Sequence, residues 1–196
     1  MIDSQPLECE TGCMKRKTMI AVLVVLLLSA VVLSAAEERN YELFDESLGV
    51  QFGNVSGWGL SYQKNFGGSA LQATLGLLYD SNASWGSVLD YVVGAEWQRT
   101  LYGDGFANWL DGQIYLLTAL THRGNVSILD YTTNELAPFE ATFTAGFGIG
   151  VEIVLFKHFS IPIECGYVVS WIPTRSGILN QLKVDLHPQV GLRYRY

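Results

Sequence analysis

From residue 48 onward the chain alternates between apolar and polar positions. Over 139–153 the odd positions are Phe139, Ala141, Phe143, Ala145, Phe147, Ile149, Val151 and Ile153; the even ones are Glu140, Thr142, Thr144, Gly146, Gly148, Gly150 and Glu152. One face is continuously apolar and the other small or polar, the period of two of a β-strand. The same split recurs over 159–171, 89–98, 71–79 and 58–66. It is less clean over 107–122, where Leu110, Ile114, Leu116 and Leu120 oppose Asp111, Gln113 and Tyr115. No helical period competes beyond residue 47. The alternation predicts eight strands, at 48–53, 57–66, 69–80, 86–100, 107–122, 138–155, 158–171 and 182–196.

The links between these strands alternate in length. Gly67-Gly68, Gly103-Asp104-Gly105 and Lys157-His158 are short, whereas 81–85, 123–137 and 172–181 are longer. Short turns on one side and long loops on the other are the plan of an outer-membrane barrel, and an even strand count returns both termini to the short-turn side. Asn54-Val55-Ser56 is the exception, short where that plan asks for a longer loop.

Composition decides which face points outward. Hydrophobic residues make up 49% of the 196 positions and charged residues only 16%, against about 25% charged in soluble domains. Beyond residue 36 the lysines are Lys64, Lys157 and Lys183. The second face of the strands is Gly, Ser, Thr and Gln, a poor water-facing surface but one that fits the cramped lumen of an eight-stranded barrel. Trp58, Tyr79, Trp97, Trp171 and Tyr194 lie near strand ends on the apolar face, as membrane-interface aromatics do. The expected fold is therefore all-β, a closed antiparallel eight-stranded transmembrane β-barrel over 48–196. A soluble barrel with the faces inverted is the competing architecture. The net charge of −7 and the absence of a basic run after Lys17 argue against nucleic acid as a partner.

The N-terminal part reads as an export signal. Lys15-Arg16-Lys17 is a basic region, Ile20 to Leu33 an apolar run broken by Ser29, and Ser34-Ala35-Ala36 a small-residue cleavage site. Met14 directly precedes the basic cluster. The expected organisation is a mis-called upstream start at 1–13, a cleavable signal peptide at 14–36 and a periplasmic segment at 37–47. Cys9 and Cys13 fall before the apolar run, which leaves Cys165 without an intramolecular disulfide partner.

The chain end alternates to its last residue, with Val190, Leu192, Tyr194 and Tyr196 sharing a face. This resembles the C-terminal assembly signal of outer-membrane barrels, with Tyr in place of the preferred terminal Phe. With the export signal and strand count, the chain resembles the small eight-stranded outer-membrane barrels of the OmpA/OmpX type. That resemblance implies location in a bacterial outer membrane, contact with its lipid and insertion by the barrel assembly machinery. It rests on pattern over 48–196, and no motif singles out one characterised family.

Candidate chemistry is sparse. Strand parity points Glu96, Asp111, Glu152, Glu164, Arg193 and Arg195 into the lumen, each in the half near the short turns. Buried charges are costly unless paired, and arginine can bind carboxylates through two hydrogen bonds; the expectation is a stabilising charge network that plugs the lumen. Ion passage through that lumen is the alternative. His122, Ser127 and Asp130 offer a weak hydrolytic set at the outer rim, the position at which some small outer-membrane barrels modify or hydrolyse lipid acyl chains. Three scattered histidines form no metal motif, and no cofactor motif is present. Apolar residues in the 123–137 loop make an extracellular ligand a reasonable partner, and the Gly-rich strand at 146–150 raises lateral passage of small apolar molecules. A structural or surface-interaction role fits this inventory better than an enzyme.

Overall fold

The computed structural model describes residues 44–82, 86–130, 135–136, 139–173 and 182–196, all within the compact unit Glu37–Tyr196. The expected upstream start at 1–13 and the expected export signal at 14–36 lie outside the described residues. The strands are β1 (Glu46–Gly53), β2 (Gly59–Asn65), β3 (Ser69–Asn82), β4 (Gly86–Ala107), β5 (Leu110–Asp130), β6 (Glu135–Leu136), β7 (Glu140–Leu155), β8 (Phe159–Trp171) and β9 (Leu182–Arg195). All pairings are antiparallel. Eight strands close a ring in the order β1-β2-β3-β4-β5-β7-β8-β9, and β1 pairs with β9 to complete it. The two-residue β6 adds to the outer end of β5.

The register gives the stagger. Following hydrogen-bonded partners from Leu48 leads through Tyr62, Ala73, Ala95, Leu120, Ala145 and Val169 to Val184 of β9, whereas Leu48 itself pairs with Tyr194. The offset between Val184 and Tyr194 is ten residues. For eight strands this corresponds to a tilt of roughly 40°, and it leaves an interior just wide enough for side chains.

The faces are sorted as the alternation requires. Leu48, Leu75, Leu77, Leu120, Ile149, Ile163, Val184 and Leu192 are exposed on the outside. Gln51, Gln63, Gln72, Glu96, Gln113, Glu152, Arg193 and Arg195 are buried within. A water-soluble barrel has the opposite arrangement, so this wall is built to stand in hydrocarbon. Aromatics mark two levels. Phe66, Phe159, Tyr194 and Tyr196 lie at the end that holds the short turns, and Tyr79, Tyr91, Phe143 and Trp171 towards the other.

The turn end is tightly built. Gly67 and Gly68 both have positive φ, as a two-residue hairpin turn requires, and Phe66 N donates to Ser69 O at 2.7 Å. Phe156 and Lys157 adopt the same sign of φ (54° and 62°) without being glycine.

The β4–β5 turn is not at Gly103-Asp104-Gly105. Those residues belong to β4, whose ladder continues to the pair Ala107–Leu110, so the turn lies at Asn108-Trp109. Register shifts at Thr100/Tyr102 and Gly105/Ala107 absorb the extra residues. Asp104 accepts from Gly105 N at 2.9 Å and from the Tyr102 hydroxyl at 3.1 Å. Gly and Asp suit a bulge as well as a turn. The 123–137 loop is likewise shorter than its sequence suggests, because β5 continues through Asp130. The first strand begins at Glu46 rather than residue 48.

The sorting of faces is testable at Leu120, which is 67% exposed on the outer wall. Leu120→Arg is expected to destabilise the barrel by about 2–4 kcal/mol in lipid vesicles, the cost of arginine near mid-membrane on a lipid-facing strand. Urea unfolding of parent and variant measures it. An unchanged midpoint would mean that this face meets water.

Candidate functional site

The lumen is closed by a hydrogen-bonded plug to which all eight ring strands contribute. Its charged centre is Arg193 and Arg195 on β9, Glu152 on β7 and Glu164 on β8, all essentially inaccessible. Arg195 Nη2 lies 2.7 Å from Glu152 Oε2. Arg193 stands between the two glutamates, 3.7 Å from Glu152 Oε1 and 3.9 Å from Glu164 Oε1. Its closer partners are amides: it donates to Gln63 Oε1 at 2.9 Å, to Gln51 Oε1 at 3.0 Å, and to Gln72.

Neutral donors serve the carboxylates. Gln113 donates to Glu152, Tyr115 to Glu164 at 2.5 Å, and Gln189 to Glu164. Gln98 donates to Glu96 at 2.6 Å and to Glu164 at 3.4 Å, and Gln189 reaches Glu96 at 3.3 Å. Glu96 and Glu164 thus share two amide donors. An isolated buried ion costs several kcal/mol, and this density of hydrogen bonds is what makes burial tolerable.

Five of the six charged residues expected in the lumen network come together. Asp111 does not. It is buried as the second residue of β5, opposite Gly105 in the bulged hairpin, and forms no ion pair with either arginine among the described residues. The amides were the part that parity showed without revealing its role. Gln63, Gln72, Gln98 and Gln113 all fall on inward positions, so long uncharged donor–acceptors were visible wherever the charges needed partners.

A second closing element sits above this centre. The link Asn54–Trp58 between β1 and β2 folds into the lumen instead of reaching outward. Val55 and Ser56 are fully buried. Ser56 Oγ accepts from Gln51 at 2.6 Å and from Gln189 at 3.0 Å, and Ser56 N donates to Gln189 Oε1 at 2.9 Å. Val55 O accepts from Thr121 at 3.2 Å. The dip is possible because Gly94 leaves room: a Cβ there would lie 1.9 Å from Ser56 O. Gly57 supplies the reversal with φ of 98°.

Above the link the lumen widens into a vestibule of about 510 Å3 that opens at the end away from the turns. Its wall includes Asp90, Arg123, Glu140, Lys183, Asp185 and His187. Lys183 and Asp185 pair at 2.9 Å, and Asn125 donates to Asp90 at 2.6 Å.

The hydrolytic set is not assembled. His122, Ser127 and Asp130 all lie on β5, where His122 and Ser127 are five residues apart along an extended backbone, a separation of about 16 Å. His122 faces outward among aromatic rings, 4.6 Å from Phe143 and 5.6 Å from Tyr91. The side chains of Ser127 and Asp130 lie outside the described residues. His158 stacks between Phe44 at 4.7 Å and Tyr194 at 5.3 Å, with Nδ1 3.0 Å from Arg195 O. The terminal positions Val190, Leu192, Tyr194 and Tyr196 are all exposed on the outer wall.

Removing one member of a buried ion pair strands the other, at about 3–5 kcal/mol. Arg193→Ala and Arg195→Ala are each expected to lower barrel stability by that amount, read as an earlier urea midpoint in vesicles. Glu152→Gln combined with Arg195→Ala recovers part of the loss. Equal midpoints for parent and single variants would show that the pairs do not carry the plug.

No protein-family model matches the chain, and no curated protein matches it by sequence. Among solved structures, the chain is similar to the N-terminal β-barrel domain of Pseudomonas aeruginosa OprF, with 10% identity and a TM-score of 0.51 over 79% of this chain and 100% of that one. It also matches Ail, the attachment invasion locus protein of Yersinia pestis, at 14% identity and a TM-score of 0.37 over 77% of this chain and 96% of that one. At these identities the likeness is one of architecture: the chain has the fold of the small eight-stranded β-barrels of which the OprF N-terminal domain is an example.

Proposed function

We propose that this chain is an outer-membrane β-barrel of a double-membraned bacterium, closed to ions, whose work is structural or done by its outer rim. The observation that supports this most directly is the plug. The charged centre and the inward link occupy successive levels of the lumen, and both are anchored in one hydrogen-bond network through Gln51 and Gln189. An ion crossing this lumen must displace buried, paired charges, which cost several kcal/mol each to uncover.

In this reading the short turns face the periplasm. The terminal residues Val190, Leu192, Tyr194 and Tyr196 address the chain to the assembly machinery, and the apolar wall meets lipid. Among the described residues the rim extends furthest at β5, which continues beyond Asn125, paired with Glu140 at the end of the β5–β7 ladder, to Asp130, where β6 is added. A strand-built rim on a rigid barrel is a suitable platform for a surface ligand, and an extracellular partner would engage it there.

Reconstituted into planar bilayers, the chain is expected to give no discrete channel events, and vesicles containing it retain small solutes. Steady conductance from the parent protein, folded by its heat-dependent shift on SDS gels, would overturn the closed-lumen reading. Gly94→Val, which removes the space for Ser56, is expected to displace the link and lower the urea midpoint while vesicles still retain solutes, because the charged centre below the link stays in place.

A further inference from the structure

Among the described residues the ring is complete at the turn end but not at the other. The β2–β3 ladder ends at the pair Leu60–Leu75, while β3 continues on β4 to Asn82. The β1–β9 ladder ends at Gly53–Gln189, while β9 continues on β8 to Leu182. Strands β1 and β2 have eight and seven residues, fewer than the roughly 9–11 that cross a bilayer at a tilt. Above them, Gly76–Asn82 and Leu182–Pro188 face each other with no strand between among the described residues. Seven residues of tilted strand rise about 15 Å, and three strand spacings separate the two backbones by about 14 Å.

The base of this window lies below the membrane surface. Leu75 is four residues beneath Tyr79 on β3, which puts it about 10 Å below the outer aromatic level. The link that could have filled the gap turns inward and carries Trp58 with it, so that this tryptophan, expected on the outward apolar face, instead lines the vestibule and forms the sill: a Cβ on Gly76 would lie 2.6 Å from the indole ring. The outer flanks are apolar and highly exposed, with Leu77 at 67% and Val184 at 61%. Behind the sill is the vestibule, whose lining carries both signs of charge: Arg123 and Lys183, with Asp90, Glu140 and Asp185. A wall edge at membrane depth is tolerated only where it meets water or polar groups.

We propose that this window admits a single-chain amphiphile from the outer leaflet, its zwitterionic head seated in the vestibule and its alkyl tail left in the bilayer. The mixed charges match a head carrying both signs better than a simple anion. The vestibule volume of about 510 Å3 is within the usual range for small-molecule sites. The plug stops the head from travelling further, so the site holds its ligand at the outer side. The inference concerns the open half of the lumen and stands whether or not the plug passes ions.

The test uses lysophosphatidylcholine with a photoactivatable diazirine beside its head, in phosphatidylcholine vesicles containing the folded protein. Two-chain phosphatidylcholine carrying the same group is the control. Adducts are mapped by mass spectrometry. The expected result is labelling of Trp58, Asp185 and His187 by the single-chain probe, and labelling of only the outward wall by the control. Thr144→Trp and Ser170→Trp, which fill the vestibule from β7 and β8, are each expected to abolish the vestibule adducts while the heat-dependent gel shift persists. Single-chain adducts confined to the outward wall in the parent would overturn the proposal. So would vestibule adducts unchanged in whichever of the two variants folds.

Discussion

An arginine buried in a narrow barrel must find all its partners within the ring. Arg193 is surrounded by five acceptor side chains from β1, β2, β3, β7 and β8. Those strands span the molecule, so one guanidinium ties together parts of the wall that are far apart in sequence. Backbone ladders fix only neighbouring strands. The lumen network is what makes the closed ring a single cooperative body, and the choice of long amides reflects this. Glutamine can donate and accept at once, which lets the charge of Arg193 and Arg195 be shared across the ring without adding further ions that would themselves need partners.

The same constraint shapes the upper lumen. A barrel with this stagger could be closed by large side chains alone. Here five residues of backbone do part of that work, and the wall is short by the length of chain turned inward. Gly94 and Gly76 are the accommodating positions, one beneath Ser56 O and the other beneath Trp58. The inward link and the lateral window are therefore one structural choice seen from two sides. Chain that closes the axial path through the lumen no longer closes the wall.

Much of this was legible in the sequence because period two is a strong signal and the lumen leaves it little freedom. Parity alone placed Glu96, Glu152, Glu164, Arg193 and Arg195 inside, and their distance from the strand ends put them at a common level. Asp111 escaped that logic because level depends on the turn. With the β4–β5 turn moved from 103–105 to Asn108-Trp109, Asp111 falls at the end of a bulged hairpin rather than beside the arginines. Gly and Asp are used by both bulges and turns, so composition could not separate the two. The alternation ends the strand at His122 and so makes it a rim residue, whereas β5 continues for eight more residues.

The direction of the Asn54–Trp58 link was not legible, although its brevity stood out. A short link at the outer end can mean a tight exposed turn or a segment folded inward. The distinction lies in residues distant in sequence: Gly94 leaves the space, while Gln189 and Thr121 provide the hydrogen bonds. None of these has meaning for the link until the ring has brought β4, β5 and β9 around it. Local pattern fixes which face a residue takes, and ring closure fixes which residues meet. The features that decide what this lumen can hold belong to the second level, and they follow from the ten-residue stagger as much as from any side chain.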